Sequence, residues 1–319
     1  MELGYDANFV NLQFKPNKLK SLAKSCVLPF ISKDLFNESV RPVTPEFHPK
    51  DDLVHLSEMF DGFVVGSDQI WRRGYALGFM KSFFLEFTKD YPVRRVSYAA
   101  SFGVSDWEFK PEETDRLAKL IANFHAVSVR EDSGVKLCQE FLGVEAKHVL
   151  DPTMLLEQEK YLELVKEERS QNFEGDLLYY VLDMNEPKQS FIQSCAQALG
   201  MTPFCANTSM NSLGIQSYPW VTNWVKSFMA AKFVITDSFH GSVLSILFNR
   251  PFLALGHAGR GNARFISLLK MFNLEDRLVS HKEDINLEKI NAPIDWKAVN
   301  EILSHQRKES QEFLRLAFE

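Results

Sequence analysis

Residues 233–255 read FVITDSFHGSVLSILFNRPFLAL, an apolar run broken at one point. There Asp237, Ser238, Phe239, His240 and Gly241 bring in an acid, a hydroxyl and an imidazole. FVITD reads as a strand and HGSVLSILFN as a helix, so these residues occupy the turn between them. Such a turn supports two kinds of chemistry. The helix start offers unpaired backbone N–H groups and a partial positive charge, which suit an anion. His240 can give or take a proton near neutral pH. Gly241 would let the backbone approach a ligand closely. Asp237 or Ser238 could fix the imidazole tautomer or cap the helix. A capped helix beside a satisfied buried histidine is the plainer reading of the same five residues. Chemistry alone does not choose between the two.

The elements that must hold this turn alternate along the chain. Strands are expected over FDGFVVGS (60–67), RRVSYAASFG (94–103), AVSVRE (126–131) and KHVLDPTML (147–155, running into a loop at Asp151-Pro152). Helices are expected over 110–124, with acids in its first turn, and over 132–143, ending at Gly143. The second half repeats the style. Its expected strands are 177–184, 201–206, 233–237 and the run after Pro251. Its expected helices are 188–200, 223–231 and 240–249. Strand–helix alternation predicts parallel sheets with crossover connections. The charged stretch 157–176 reads as a boundary, giving an N-terminal Rossmann-like domain over 1–160 and a C-terminal one over 175–319. Open parallel sheets bind ligands at the carboxyl ends of their strands, so the cleft between the domains is the expected site.

Composition narrows the class. A chain of 319 residues exceeds what one core usually reaches. A net charge of -6 argues against a nucleic-acid partner. The 27 phenylalanines read as core material. Cys26, Cys138, Cys195 and Cys205 form no CxxC pair and read as small core residues in a reducing cytoplasm. No acid or histidine cluster has the spacing of a metal site, and no cofactor is expected. The first ten residues are not a secretion signal, and no apolar run reaches the ~18 residues of a membrane span. KPNKLKSLAKS (15–25) is short and weakly apolar. It reads first as a solvated helix face and second as a peripheral contact with a membrane surface.

AAKFVITDSFHGSVLSILFNRPFLAL resembles the core motif of the polysaccharide pyruvyl transferase family, in which a strand ending in Thr-Asp or Thr-Ser leads into a His-Gly or His-Ala turn. FDGFVVGSDQIW (60–71), VSVREDSGVKLCQEFLGVEAKHVLDPTML (127–155) and GRGNARFISLLKMFNLEDRL (259–278) look like the same family, in the same order. The resemblance implies a GT-B-like α/β fold, two Rossmann-like domains facing each other across a cleft. It implies transfer of a pyruvyl group from phosphoenolpyruvate to two hydroxyls of a sugar, as a ketal, on an exopolysaccharide, another cell-surface glycan or a lipid-linked precursor. By that resemblance Arg130 is the first candidate to hold the donor, and Arg260 and Arg264, with Asn262 in the same loop, are the second. His240 becomes the acid that protonates the enol methylene or steadies the departing phosphate, with Ser238 and Gly241 lining the donor side. Asp68 becomes the base for the acceptor hydroxyl, and Trp71 a stacking face for the sugar. Family members usually open with a first strand, a Gly-bearing loop and a helix. Here MELGYD looks like the end of that helix and NFVNLQF like the second strand, so the first strand is expected to be missing. Two other readings stand beside this one: a nucleotide-sugar glycosyltransferase of GT-B-like fold, and a truncated, non-catalytic glycan- or partner-binding protein.

Overall fold

The structure is a computed structural model, and it describes residues 9–12, 43–47, 51–76, 78–166, 173–205, 209–210, 216–217, 221–256, 262–279 and 290–319. Arg260 and the basic stretch 15–25 lie outside these residues. Strand β1 (Phe9–Leu12) falls within the expected NFVNLQF strand and pairs in parallel with β2 (Val43–Phe47). Next come β3 (Gly62–Val65), β4 (Arg94–Ala100), β5 (Ala126–Val129) and β6 (Lys147–His148). They form one parallel sheet in the order β3-β4-β5-β6.

The second half supplies β7 (Leu177–Tyr180), β8 (Pro203–Cys205), a short antiparallel pair β9 (Ser209–Met210) and β10 (Gln216–Ser217), then β11 (Phe233–Thr236), β12 (Phe252–Leu255) and β13 (Leu278–Val279). Five of these make a parallel sheet in the order β13-β12-β11-β7-β8. The chain leaves β7 for β8 on one side and returns to β11 on the other. The crevice between β7 and β11 is therefore this sheet's topological switch point. FVIT and FLAL are buried along their whole length, as strands covered by helices on both faces must be. The α/β architecture with two parallel sheets is the one the alternating pattern predicts.

Local signals explain several boundaries. Helix Pro111–Ile121 opens on a proline, and the Glu113 carboxylate accepts the Lys110 N–H at 2.9 Å, satisfying an end donor. The helix from Asp132 ends where Gly143 turns left-handed at φ 68°.

Two expectations need correction. The charged stretch 157–176, expected as a boundary, is partly structured. It contains helix Gln158–Lys166, whose Val165 is buried in the second core. Alternating charges hide its single buried stripe. The second departure is helix Trp296–Phe318, which packs on both halves of the chain. Val299 and Leu303 are buried in the second core. Ser310 then accepts the Leu150 N–H at 3.0 Å, and Phe313 packs on Tyr98 at 6.3 Å between centroids. The chain's last helix thus straps the two sheets together. A second clasp also joins the two halves. There Ser267, in helix Ala263–Met271, accepts the Asp132 N–H at 2.9 Å, and Lys270 sits 3.2 Å from the Asp132 carboxylate. No described helix is long and apolar enough to cross a membrane.

Candidate active site

Both sheets turn their carboxyl edges toward the same seam. From the first sheet, Asp68 follows β3, Arg130 follows β5, and Asp151 lies three residues beyond β6. From the second, Phe239 and His240 open helix Phe239–Leu247 directly after β11. Arg264 lies in the first turn of helix Ala263–Met271. These six side chains meet.

Arg130 is the hub, and it is buried at 3% exposure. One terminal nitrogen donates to Asp151 at 2.5 Å and the other to Asp68 at 3.1 Å. Its guanidinium carbon stands 4.3 Å over the Phe239 ring. A desolvated cation–π contact of this kind contributes about 2 kcal/mol. Asp151 also faces His240, whose Nε2 is 3.6 Å from the same carboxylate oxygen. Burial alone would raise the Asp151 carboxyl. The contact with His240 and the charge of Arg130 outweigh it and hold the group far below the usual carboxylate range. Asp68 is likewise held down, against burial, by Arg130, His240 and Arg264. Its side chain is 66% exposed and that of His240 36%, so these two are the parts of the cluster that a ligand can reach.

Arg264 differs from Arg130. It is equally buried, at 7% exposure, yet no hydrogen bond to it is found among the described residues. Its nearest carboxylate oxygen, on Asp68, is 3.8 Å away, and its Nε is buried without a partner. Burial, with Arg130 beside it, pushes the Arg264 guanidinium down to about 10. A buried cation left this short of acceptors is costly unless an anion completes it.

The residues expected from the sequence divide sharply. His240, Asp68, Arg130 and Arg264 come together. The guanidinium fork of Arg130 is already filled by carboxylates, so it does not present a free fork to a donor. It pairs with neither Glu131 nor Asp132. Trp71 is a correction: it is fully buried, donates its indole N–H to the Phe83 carbonyl and stacks on Phe84, so no sugar reaches it. Ser238 caps its helix by accepting the Gly241 N–H at 3.4 Å and is itself buried. Gly241 is required for packing rather than for ligand approach, because a Cβ there would lie 2.2 Å from Thr236 Oγ1. Asn262 precedes the Arg264 helix and lies against Gly256.

Sequence reasoning missed three residues. Asp151 was legible as an acid just past a strand, on the same rule that found Arg130. Phe239 reads as core until the cation above it is seen. Glu131 points away from Arg130, as neighbours on an extended segment do. It is fully buried, and one oxygen accepts Ser101 Oγ at 3.0 Å and the N–H groups of Phe102 at 2.7 Å and Gly103 at 3.0 Å. Ser101 in turn donates its N–H to the Asp68 carbonyl at 2.9 Å. Arg130 thus holds the Asp68 carboxylate while its neighbour Glu131 holds the turn that anchors the Asp68 backbone. Asp237 is not a partner of His240. It accepts Lys188 Nζ at 2.6 Å and the N–H groups of Leu182 at 2.7 Å and Asp183 at 3.2 Å, closing the β7/β11 switch point. Among the described residues, no group of three His, Cys, Asp or Glu could hold a metal ion.

Two parallel sheets thus bring two arginines, a histidine and an exposed carboxylate to one shared edge. Residues 2–259 match the family described as polysaccharide pyruvyl transferase, and the chain belongs to that family. The match ends where the stretch GRGNARFISLLK begins. No curated protein sequence matches the chain. Among solved structures, the wall teichoic acid polymerase TagF is similar at 11% identity and a TM-score of 0.40, covering 96% of this chain and 90% of that one. The O-GlcNAc transferase of Thermobaculum terrenum is similar at 11% identity and a TM-score of 0.36, covering 89% of this chain and 55% of that one.

Proposed function

We propose that this protein transfers the pyruvyl group of phosphoenolpyruvate to two hydroxyls of a sugar in a cell-surface glycan or its lipid-linked precursor. The observation that carries this reading is that the buried, acceptor-poor Arg264 and the partly exposed His240 both border Asp68 and Phe239. Phosphoenolpyruvate has a carboxylate and a phosphate, and a guanidinium suits either one. Arg264 receives the donor. Arg130, committed to Asp151 and Asp68, keeps the carboxylates in place.

One sugar hydroxyl adds through oxygen to C2 of the enol, and C3 gains a proton to become the methyl group. A second hydroxyl then forms the other C2–O bond as the C2–O(phosphate) bond breaks, and phosphate leaves with the electron pair. Each hydroxyl gives up one proton. One of these replaces the proton delivered to C3, and the other leaves with phosphate and buffer. His240 supplies the proton to C3, its ring oriented by Asp151. Asp68 is ionised and weakly basic, so it orients the acceptor hydroxyl by hydrogen bonding and takes its proton only as the new bond forms.

His240→Ala should lower turnover by ~10²–10⁴-fold, the range for a lost general acid, while phosphoenolpyruvate still binds. Ketal formation followed by the new methyl signal in proton NMR checks this. Undiminished turnover would remove His240 from the mechanism.

A further inference from the structure

The cluster has a neighbour that neither the sequence motifs nor the family match assigns. Tyr75 lies in the same β3–β4 connection as Asp68. It is 44% exposed, and it is the one exposed Phe, Tyr or Trp among the described residues. In a chain with so many buried rings, this ring is kept at the surface on a built support. The Arg72 guanidinium carbon sits 4.4 Å from its centroid, and the Arg72 side chain is only 11% exposed. Arg72 Nη1 donates to Gln69 Oε1 at 3.1 Å, and its Nε lies 3.9 Å from Glu108. The Tyr75 N–H donates to the Arg72 carbonyl at 3.0 Å, closing a turn beneath the ring. One ring face is therefore backed by a fixed cation, and the exposed surface lies on the remainder. Gln69, which Arg72 holds, is the neighbour of Asp68 in sequence. Gln69 Oε1 in turn lies against Gly103, where a Cβ would stand 2.0 Å from it, so the Tyr75 support packs on the turn that Glu131 holds beneath Asp68.

We infer that Tyr75 is the stacking platform of an acceptor subsite, and that its ligand is a pyranose ring with hydroxyls directed at Asp68. The inference rests on the pyruvyl-transfer reading for the identity of the acceptor end of the cleft. A pyranose presents an apolar C–H face to an aromatic ring and keeps its hydroxyls at the edge. A rigid ring on a two-torsion side chain loses little freedom on binding. An exposed carboxylate a few residues away, with Arg264 beyond it, is what the edge of such a sugar needs. Tyr75 takes the part that the sequence reading gives to Trp71, which the core has absorbed.

The test is saturation-transfer NMR on the whole protein with a panel of methyl hexopyranosides, in wild type, Tyr75→Ala, Tyr75→Phe and Tyr75→Trp. The wild-type protein, Tyr75→Phe and Tyr75→Trp should saturate the ring C–H protons of at least one glycoside. Tyr75→Ala should do so about fivefold less, the factor that ~1 kcal/mol of lost stacking implies. Equal saturation by Tyr75→Ala, or none by the wild type, overturns the subsite. Titration of the same proteins with phosphoenolpyruvate separates the two readings. Glycoside saturation without phosphoenolpyruvate binding leaves the subsite standing and removes the donor. Phosphoenolpyruvate binding with equal saturation in Tyr75→Ala does the reverse.

Discussion

Two buried ion clusters sit at carboxyl ends of parallel strands in this molecule, and they are built differently. At the β7/β11 switch point, Lys188 and Asp237 are 1% and 2% exposed. Lys188 Nζ reaches both Asp237 and the Asp183 carbonyl, and Asp237 accepts two backbone N–H groups besides. At the seam between the sheets, Arg130 and Arg264 are as deeply buried, yet each has a buried Nε with no partner. The seam also keeps Asp68 and His240 within reach of solvent. The first cluster is satisfied within the chain and ties a loop to a strand. The second has donors left over, next to the solvent-accessible Asp68 and His240. Burial and charge are common to both. Unmet hydrogen-bonding capacity beside an accessible group is what separates a ligand site from a structural pair.

Lys188→Met strands a buried carboxylate and should cost ~3–5 kcal/mol of stability, the largest effect expected at either cluster, read as a fall in the denaturant midpoint. A loss under ~1 kcal/mol, the scale of an exposed ion pair, would mean that this cluster is not structural. Arg264→Ala removes a buried cation whose ion-pair contact, to Asp68, is long at 3.8 Å. It should leave stability near wild type or raise it, and weaken phosphoenolpyruvate binding by about 10–100-fold, or ~1.5–3 kcal/mol.

The smallest expected effect comes from Glu131→Gln. The amide keeps the oxygen that holds the turn at Ser101, Phe102 and Gly103 and removes the charge. Burial raises the Glu131 carboxyl, against the lowering effect of Arg130 and of the hydrogen bonds it accepts. The folded protein therefore keeps this proton to higher pH than the unfolded chain does. Stability must then fall as pH rises above the ordinary value of 4.5, because the unfolded state releases the proton first. Glu131→Gln should lack that fall while keeping its activity. Stability measured at pH 5 and pH 8 for both proteins checks the slope. Identical slopes would mean that Glu131 is charged in the fold at both values.

The sheets were legible because each strand is a short apolar run ended by a turn signal, and the helices between them carry ordinary caps. Gly143 and Gly200 stop helices where the sequence predicts, both with left-handed backbones. Helix Trp296–Phe318 was not legible as a strap, since its charged faces reveal neither of the two cores it serves. The site was half legible. Strand ends pointed to Arg130 and His240, and the same rule applied to LDPT would have added Asp151. Trp71 misled because a large aromatic beside a polar loop reads equally well as platform or core. Only three-dimensional packing sends its indole inward to the Phe83 carbonyl and leaves Tyr75 outside. The pairing of Asp237 with Lys188, 49 residues away, has no local signature. From sequence, Asp237 looked like a partner for the histidine three positions on.

The most direct measurement is a calorimetric titration of phosphoenolpyruvate into the wild-type protein and into Arg264→Ala, with a nucleoside diphosphate sugar as the parallel titrant. Wild type should bind phosphoenolpyruvate and not the nucleotide sugar, and Arg264→Ala should lose most of that affinity. Equal phosphoenolpyruvate affinity in the two proteins, or binding of the nucleotide sugar alone, would contradict it.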